Sequence, residues 1–187
     1  MPRIETARLC VRPAAEPDVP AVLDFFRSNR EFLAPWEPVK PTEFFTEPYW
    51  SQQVGRNRLE QQTGQGLRTF LFAGERRDRV VGTANLNQII RGVFHSCFLG
   101  YSLAESEQGK GLMAEALRGL LGHAFSELKL HRVAANYMPR NERSGQLLRR
   151  LGFVVEGYSR DYLLIAGKWE DHVLTALYNP DWRPASE

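Results

Sequence analysis

Between residues 8 and 13 apolar and polar side chains alternate, the two-residue period of a half-buried strand, and Pro13 ends the run. From 17 to about 28 the period changes, with Val19, Val22, Leu23 and Phe26 recurring at helical spacing. Residues 29–46 keep neither period. Their prolines and aromatics, among them Phe32, Pro35, Trp36, Pro38, Phe44 and Phe45, predict a structured loop with one short helical turn. Thr46-Glu47-Pro48 opens a second helix running to about 62, and Gly64-Gln65-Gly66 closes it.

The middle of the chain reads as sheet: a strand over 69–73, a charged turn, a strand over 80–90, a hairpin turn at Arg91-Gly92 and a strand over 93–103. Such short connections make these three strands antiparallel. A long helix from Leu112 then lines up Leu117, Leu120, Leu121, Ala124, Phe125 and Leu128 on one face, which must pack on the sheet. After it come a strand over 131–137, a short helix over 141–151 stopped by Gly152, a strand over 153–165, a turn at Ala166-Gly167 and a last strand over 168–178. The order defines an α+β fold, a mixed but mostly antiparallel sheet of about seven strands with helices packed on its faces. The fourth and fifth strands, before and after the long helix, are joined by a crossover and so run parallel, and a ligand is expected at the carboxyl end of the first of them.

Length and composition narrow the setting. At 187 residues the chain is expected to form one domain over 1–187 without staples. A formal net charge of +2 carries no argument for nucleic acid. Cys10 and Cys97 lie in separate strand-like runs, as buried reduced thiols do, and the four histidines show no ligand spacing, so no metal is expected. No apolar stretch has the length of a signal peptide or a membrane span, and the expected location is the cytoplasm, with no membrane partner.

Candidate chemistry concentrates in Gln108-Gly109-Lys110-Gly111-Leu112-Met113, between a strand and the start of the long helix. Two glycines there let backbone N–H groups approach a ligand, and the helix adds the positive end of its dipole, an arrangement suited to a pyrophosphate. An ordinary strand-to-helix turn reads the same way. A dinucleotide fold would need G-x-G-x-x-G near the first strand and a P-loop G-x-x-x-x-G-K-[ST]; neither occurs. Lys110 reads equally as a phosphate-side charge or as a solvated loop lysine. Asn141 and Ser144, three residues apart, share a face at the start of the short helix, where the simplest reading is a helix cap and an exposed first turn.

Gln108, Gly111 and Met113 occupy the marked positions of the Q/R-x-x-G-x-G/A acyl-CoA signature, and here the chain resembles the GCN5-related N-acetyltransferase (GNAT) superfamily. Met113 departs from the usual small residue. The block from Asn136 to Ser144, followed by Leu147, Leu151, Gly152 and Phe153, is similar to the Rim-type branch. So are Pro35-Trp36-Glu37-Pro38, Arg91-Gly92-Val93-Phe94-His95 and Asp161-Tyr162-Leu163-Leu164-Ile165.

The resemblance implies acetyl-CoA as donor, no metal, a splayed parallel strand pair, and as acceptor the N-terminal alanine α-amine of a small-subunit ribosomal protein, free or in a pre-ribosomal particle. It implies donor binding by the 108–113 turn, by Tyr101, Ser102 and Leu103 on the strand before it, and by Asn136, Asn141 and Ser144. Ser144 would also give its proton to the departing thiolate. Glu37 and His95 are the leading candidates for the base, with Asp161 behind them, and Trp36, Glu37 and Asp161 would line the acceptor site. Two other readings stay open: a GNAT enzyme for a small-molecule amine or another protein, and a non-catalytic CoA-binding assembly factor. Monomer and homodimer are both open.

Overall fold

A computed structural model describes residues 2–183. Its frame is one eight-stranded sheet in the order β1-β2-β3-β4-β5-β6-β8-β7. The strands are β1 (Ile4–Glu5), β2 (Cys10–Arg12), β3 (Leu67–Ala73), β4 (Arg79–Ile90), β5 (Ser96–Leu103), β6 (Arg132–Ala134), β7 (Val154–Ile165) and β8 (Lys168–Tyr178). The strand beyond the expected seven is β1, whose two residues are too few to leave a period; they pair with Val11 and Cys10. Neighbours are antiparallel except β5 and β6, which run parallel because helix α4 (Leu112–Ser126) crosses over between them.

Strand alternation sorts side chains onto two faces. One buries Leu9, Val11, Leu71, Cys97, Leu99 and Val133 under α4 and α5 (Glu142–Arg150). The other buries Cys10, Phe70, Phe72 and Val80 under α1 (Val19–Ser28) and α3 (Glu47–Gln62). These two helices cover the β2 to β4 side only. The segment 29–46, tied to Glu105, Arg140 and Ala166 through Asn29, Pro35 and Glu37, has more structure than its sequence suggests: α2 (Arg30–Leu33) and 3₁₀ turns at Ala34–Trp36 and Thr42–Phe45.

Besides β2, which is trimmed to Cys10–Arg12, two strands are shorter than expected in ways that shape the site. β5 starts at Ser96, not residue 93, because Gly92 to Phe94 form an exposed turn. β6 ends at Ala134, not residue 137, with Tyr137 making a separate bridge to Val173. The β5–β6 pairing therefore covers only Ser96–Arg132, Cys97–Val133 and Phe98–Ala134, while β5 continues to Leu103. Beyond Phe98 the two chains part and a gap opens through the sheet.

Candidate active site

The direction of the backbone along the gap follows from one bond. The Ala104 N–H donates to the Val81 carbonyl at 2.8 Å, and Gly82 opposes Leu103. Antiparallel alternation then turns the amides of Ser102 and Gly100 toward β4, and those of Tyr101 and Leu103 toward the gap. Of the three strand residues in the candidate donor set, Tyr101 and Leu103 thus offer backbone groups to a ligand. Ser102 does not, and its hydroxyl is engaged with Thr83 at 3.0 Å.

The glycine turn stands at the end of β5. Gln108 Nε2 donates to the Leu103 carbonyl at 3.0 Å and fastens the turn to the strand. Gly109 and Gly111 both have φ of +77°, and a methyl group on Gly109 would meet nothing within 4 Å, so the turn is open on that side. Gly111 is the N-cap of α4 and has no side chain to satisfy the first helical N–H groups, which are left for a ligand. Leu112 and Met113 are buried in the core under α4. The bulk of Met113 is therefore directed into the core, away from the turn.

Lys110 is tied to Glu107 at 2.9 Å, and Arg79 binds the same carboxylate, also at 2.9 Å. The Lys110 bond, with that of Arg79, outweighs burial and holds the Glu107 carboxyl below its usual range. Arg8, which the sequence did not single out, donates to the Lys110 carbonyl at 2.8 Å and to Glu115 at 2.7 Å. Replacing Gly111 by Ala puts a β-carbon in left-handed backbone, at a cost of roughly 1–2 kcal/mol. Its nearest neighbour would be Arg8 Nη2 at 3.6 Å, an ordinary contact, so strain is the main effect. Because the empty turn can relax and must be restored on binding, acetyl-CoA affinity should fall about 5- to 30-fold by calorimetry. An unchanged affinity would mean that the turn does not hold the ligand.

Across the gap, α5 brings Ser144. Asn141 caps the helix, its Oδ1 accepting from the Ser144 N–H at 3.2 Å. The Oδ1 of Asn141 is thus spent on the helix. The Ser144 hydroxyl lies 2.7 Å from that of Tyr101. Burial pushes the Tyr101 phenol up to about 12, against a lowering by Ser144. Tyr101 therefore keeps its proton near neutrality, and as donor to Ser144 Oγ it frees the serine proton to point elsewhere.

On the other face, Arg140 joins the segment around Trp36 to β8. One Nη2 lies 3.0 Å from both the Pro35 carbonyl and Glu170, and the guanidinium sits 4.9 Å from the centre of the Trp36 ring. Trp36 is half-buried and fixed by this contact. Asn136 Nδ2 donates to the Tyr162 hydroxyl at 3.0 Å, and Asn136 Oδ1 accepts from the Thr175 N–H at 3.2 Å.

None of the three candidate bases hydrogen-bonds to Tyr101, Ser144 or the glycine turn. His95 precedes β5 at the end far from the turn, about 20 Å along the strand from Tyr101 at ~3.3 Å per residue. It donates to the Gly92 carbonyl and packs edge-on to Trp182. Glu37 pairs with Lys40 at 3.4 Å and lines a separate cleft of about 260 Å³ with Arg30, Phe44 and Phe45. Asp161 is exposed, and its N–H donates to Asp171 at 2.9 Å. β7 shifts register here, with Ser159 opposite His172 but Leu163 opposite Glu170, and the shift turns Tyr162 inward instead. Among the described residues no group of three or more His, Cys, Asp or Glu could hold a metal, and no helix is long and apolar enough to cross a membrane.

A parallel pair parting around a glycine turn, with a hydroxyl pair across the gap, defines an acyl-CoA-dependent transferase. The model of the acetyltransferase (GNAT) domain matches residues 8–154, and the chain belongs to that family. Among curated proteins it is 44% identical over 182 residues to the [ribosomal protein uS5]-alanine N-acetyltransferase of Escherichia coli, covering 97% of this chain and 93% of that one. Among solved structures it is similar to the ribosomal-protein-S5-alanine acetyltransferase of Vibrio fischeri, with a TM-score of 0.93 and 36% identity over 98% and 100% of the two chains. It is also similar to Mycobacterium smegmatis RimJ in complex with CoA-disulfide, with a TM-score of 0.88 and 27% identity over 99% and 90%.

Proposed function

We propose that this protein acetylates the N-terminal α-amine of alanine on the small-subunit ribosomal protein uS5, with acetyl-CoA as donor, and so acts in the cytoplasm. The observation that carries the reading is the 44% identity over 97% of the chain, which takes in the segment around Trp36 as well as the glycine turn. When bound, acetyl-CoA supplies the activated acyl group. The first N–H groups of α4 and the turn 108–113 hold its pyrophosphate, and the gap-facing amides of Tyr101 and Leu103 receive the pantetheine arm as an added strand. Ser144, with Tyr101 behind it, protonates the departing thiolate. Asn141 and Asn136 serve the site indirectly, the first by capping α5 and the second by fixing Tyr162. The acceptor enters from the opposite face, along the wall made by Trp36, Arg140 and Glu170.

The test is release of CoA with a synthetic peptide carrying the uS5 N-terminus, compared with its Nα-blocked form, free lysine and a polyamine. Turnover only with the free α-amine peptide is the expected result. Preference for lysine or the polyamine would overturn the acceptor, and acetyl-CoA binding without turnover of any amine would overturn the catalytic reading.

A further inference from the structure

We propose that Tyr162 and His172 form the route by which the acceptor's α-ammonium loses its proton, and that Asn136 is the residue that sets the direction of that route. The inference rests on the acceptor being an α-amine. Such an amine has a pKa of about 7.7–8.0 and is mostly protonated, hence not nucleophilic, at neutral pH.

The hydrogen-bond directions at the two ends of this route are determined. The Thr175 N–H can only donate, so the atom of Asn136 that it meets at 3.2 Å is the amide oxygen. The other end of Asn136 is therefore its NH₂ group, which donates to the Tyr162 oxygen at 3.0 Å. That oxygen keeps a second lone pair for an incoming N–H, and its own proton is free to be given away. The Glu170 carbonyl can only accept, so His172 Nδ1, 2.9 Å from it, carries the hydrogen. In the neutral ring Nε2 is then the basic nitrogen. No hydrogen bond occupies Nε2 among the described residues. The buried imidazole lies against Tyr162, ring centres 5.4 Å apart, and the proposed route takes one water between the hydroxyl and Nε2.

The position fits the chemistry. Tyr137 pairs with Val173 and Ala134 with Ala176, so Asn136 lies at the mouth of the gap on the face opposite α4 and α5, with His172 on that same face. Ser144 approaches the gap from the α5 side. Proton removal from the amine and proton delivery to the thiolate thus fall on opposite sides of the sheet. In the step itself an ammonium N–H bond breaks and its electron pair becomes the nucleophile. The proton passes to Tyr162 Oη as the phenol proton moves through water to His172 Nε2, giving an imidazolium that later releases the proton to solvent.

The charged groups around His172 are known. β8 contributes Glu170, neutralised by Arg140 from the β6–α5 segment at 3.0 Å, and Asp171, which accepts from Tyr158 on the other face. β7 contributes Arg160 and Tyr162 itself.

The experiment is the pH profile of kcat/KM for an N-terminal alanine peptide with wild-type protein, Tyr162→Phe, His172→Gln and the double variant. At pH 6.5 each single variant should lose on the order of 10²-fold, the size of a general-base contribution. The double variant should be no slower than the worse single one. At pH 9, where solvent has already removed the proton, all three should return to within about threefold of wild type, while acetyl-CoA affinity stays unchanged throughout. Wild-type rates at pH 6.5, deficits that persist at pH 9, or losses that multiply in the double variant would each overturn the route. If His172→Gln does not fold, Tyr162→Phe alone gives the same readout. Should wild type accept a different amine instead of the peptide, the ribosomal acceptor falls and the same profiles on that amine still decide the route. A wild-type protein that turns over no amine overturns both.

Discussion

Replacing Ser144 by Ala should lower kcat for peptide acetylation by on the order of 10²-fold while leaving the acetyl-CoA dissociation constant within about twofold. A thiolate with a pKa near ~8.5 leaves more readily when a proton reaches it as the bond breaks. A serine hydroxyl is a weak acid, and a hydrogen bond donated by the Tyr101 phenol, 2.7 Å away, would improve it. Because burial holds the Tyr101 phenol near 12, it remains a donor across the working pH range, and the pair adds no pH dependence between about 6 and 9. Tyr101→Phe should then cost less than Ser144→Ala, roughly tenfold, since it weakens the donor without removing it. Single-turnover measurements separate the steps. A large loss of affinity at unchanged rate would move Ser144 from proton delivery to donor binding. Unlike the Tyr162 and His172 variants, Ser144→Ala should not recover at pH 9, because raising the pH does not replace the proton donor that the variant lacks.

The parts of this site that were legible in the sequence depend on local chemistry, and the parts that were not depend on phase. The glycine turn needs only backbone freedom and a helix start, and both are readable from Gly109, Gly111 and the apolar period after Leu112. Asn141 and Ser144 are likewise three residues apart on one helix, which fixes their relation without tertiary information. Tyr101 is 43 residues from Ser144, and whether it meets that hydroxyl depends on which face of β5 it takes. His95 adjoins the right strand, yet a strand has two ends and the glycine turn stands at the other one. Asp161 and Tyr162 are adjacent, and the register shift between Ser159 and Leu163 decides which points inward. Alternation cannot be carried through such a bulge from sequence. Arg140 was visible as part of a motif, but its role needs Pro35, Trp36 and Glu170 brought together by three separate elements.

Gly145→Ala should slow the enzyme and lower its stability, against the usual benefit of removing glycine from a helix. Alanine inside a helix gains about 0.5–1 kcal/mol over glycine. Here a β-carbon would lie 2.7 Å from Tyr137 Cε2 and 2.8 Å from Cζ, distances that neither a rigid ring nor a helix can accept unmoved. Tyr137 cannot simply retreat, since its backbone N–H and carbonyl are both bonded to Val173, at 3.1 and 2.9 Å. Overpacking of this kind costs about 1–3 kcal/mol, so the net loss should be roughly 1–2 kcal/mol, a fall in Tm of about 2–8 °C for a chain of this size. Relief comes by displacing the start of α5, which carries Ser144 next door to the substitution. A displacement approaching 1 Å at a reacting group can cost up to about 10²-fold, and kcat should fall by on the order of tenfold. Adding Tyr137→Leu removes the ring and should restore much of the rate although it loses burial of its own, giving a positive coupling in the double-mutant cycle. A Gly145→Ala protein more stable than wild type with unchanged kcat would show that the contact with Tyr137 does not hold α5, and with it Ser144, against the gap.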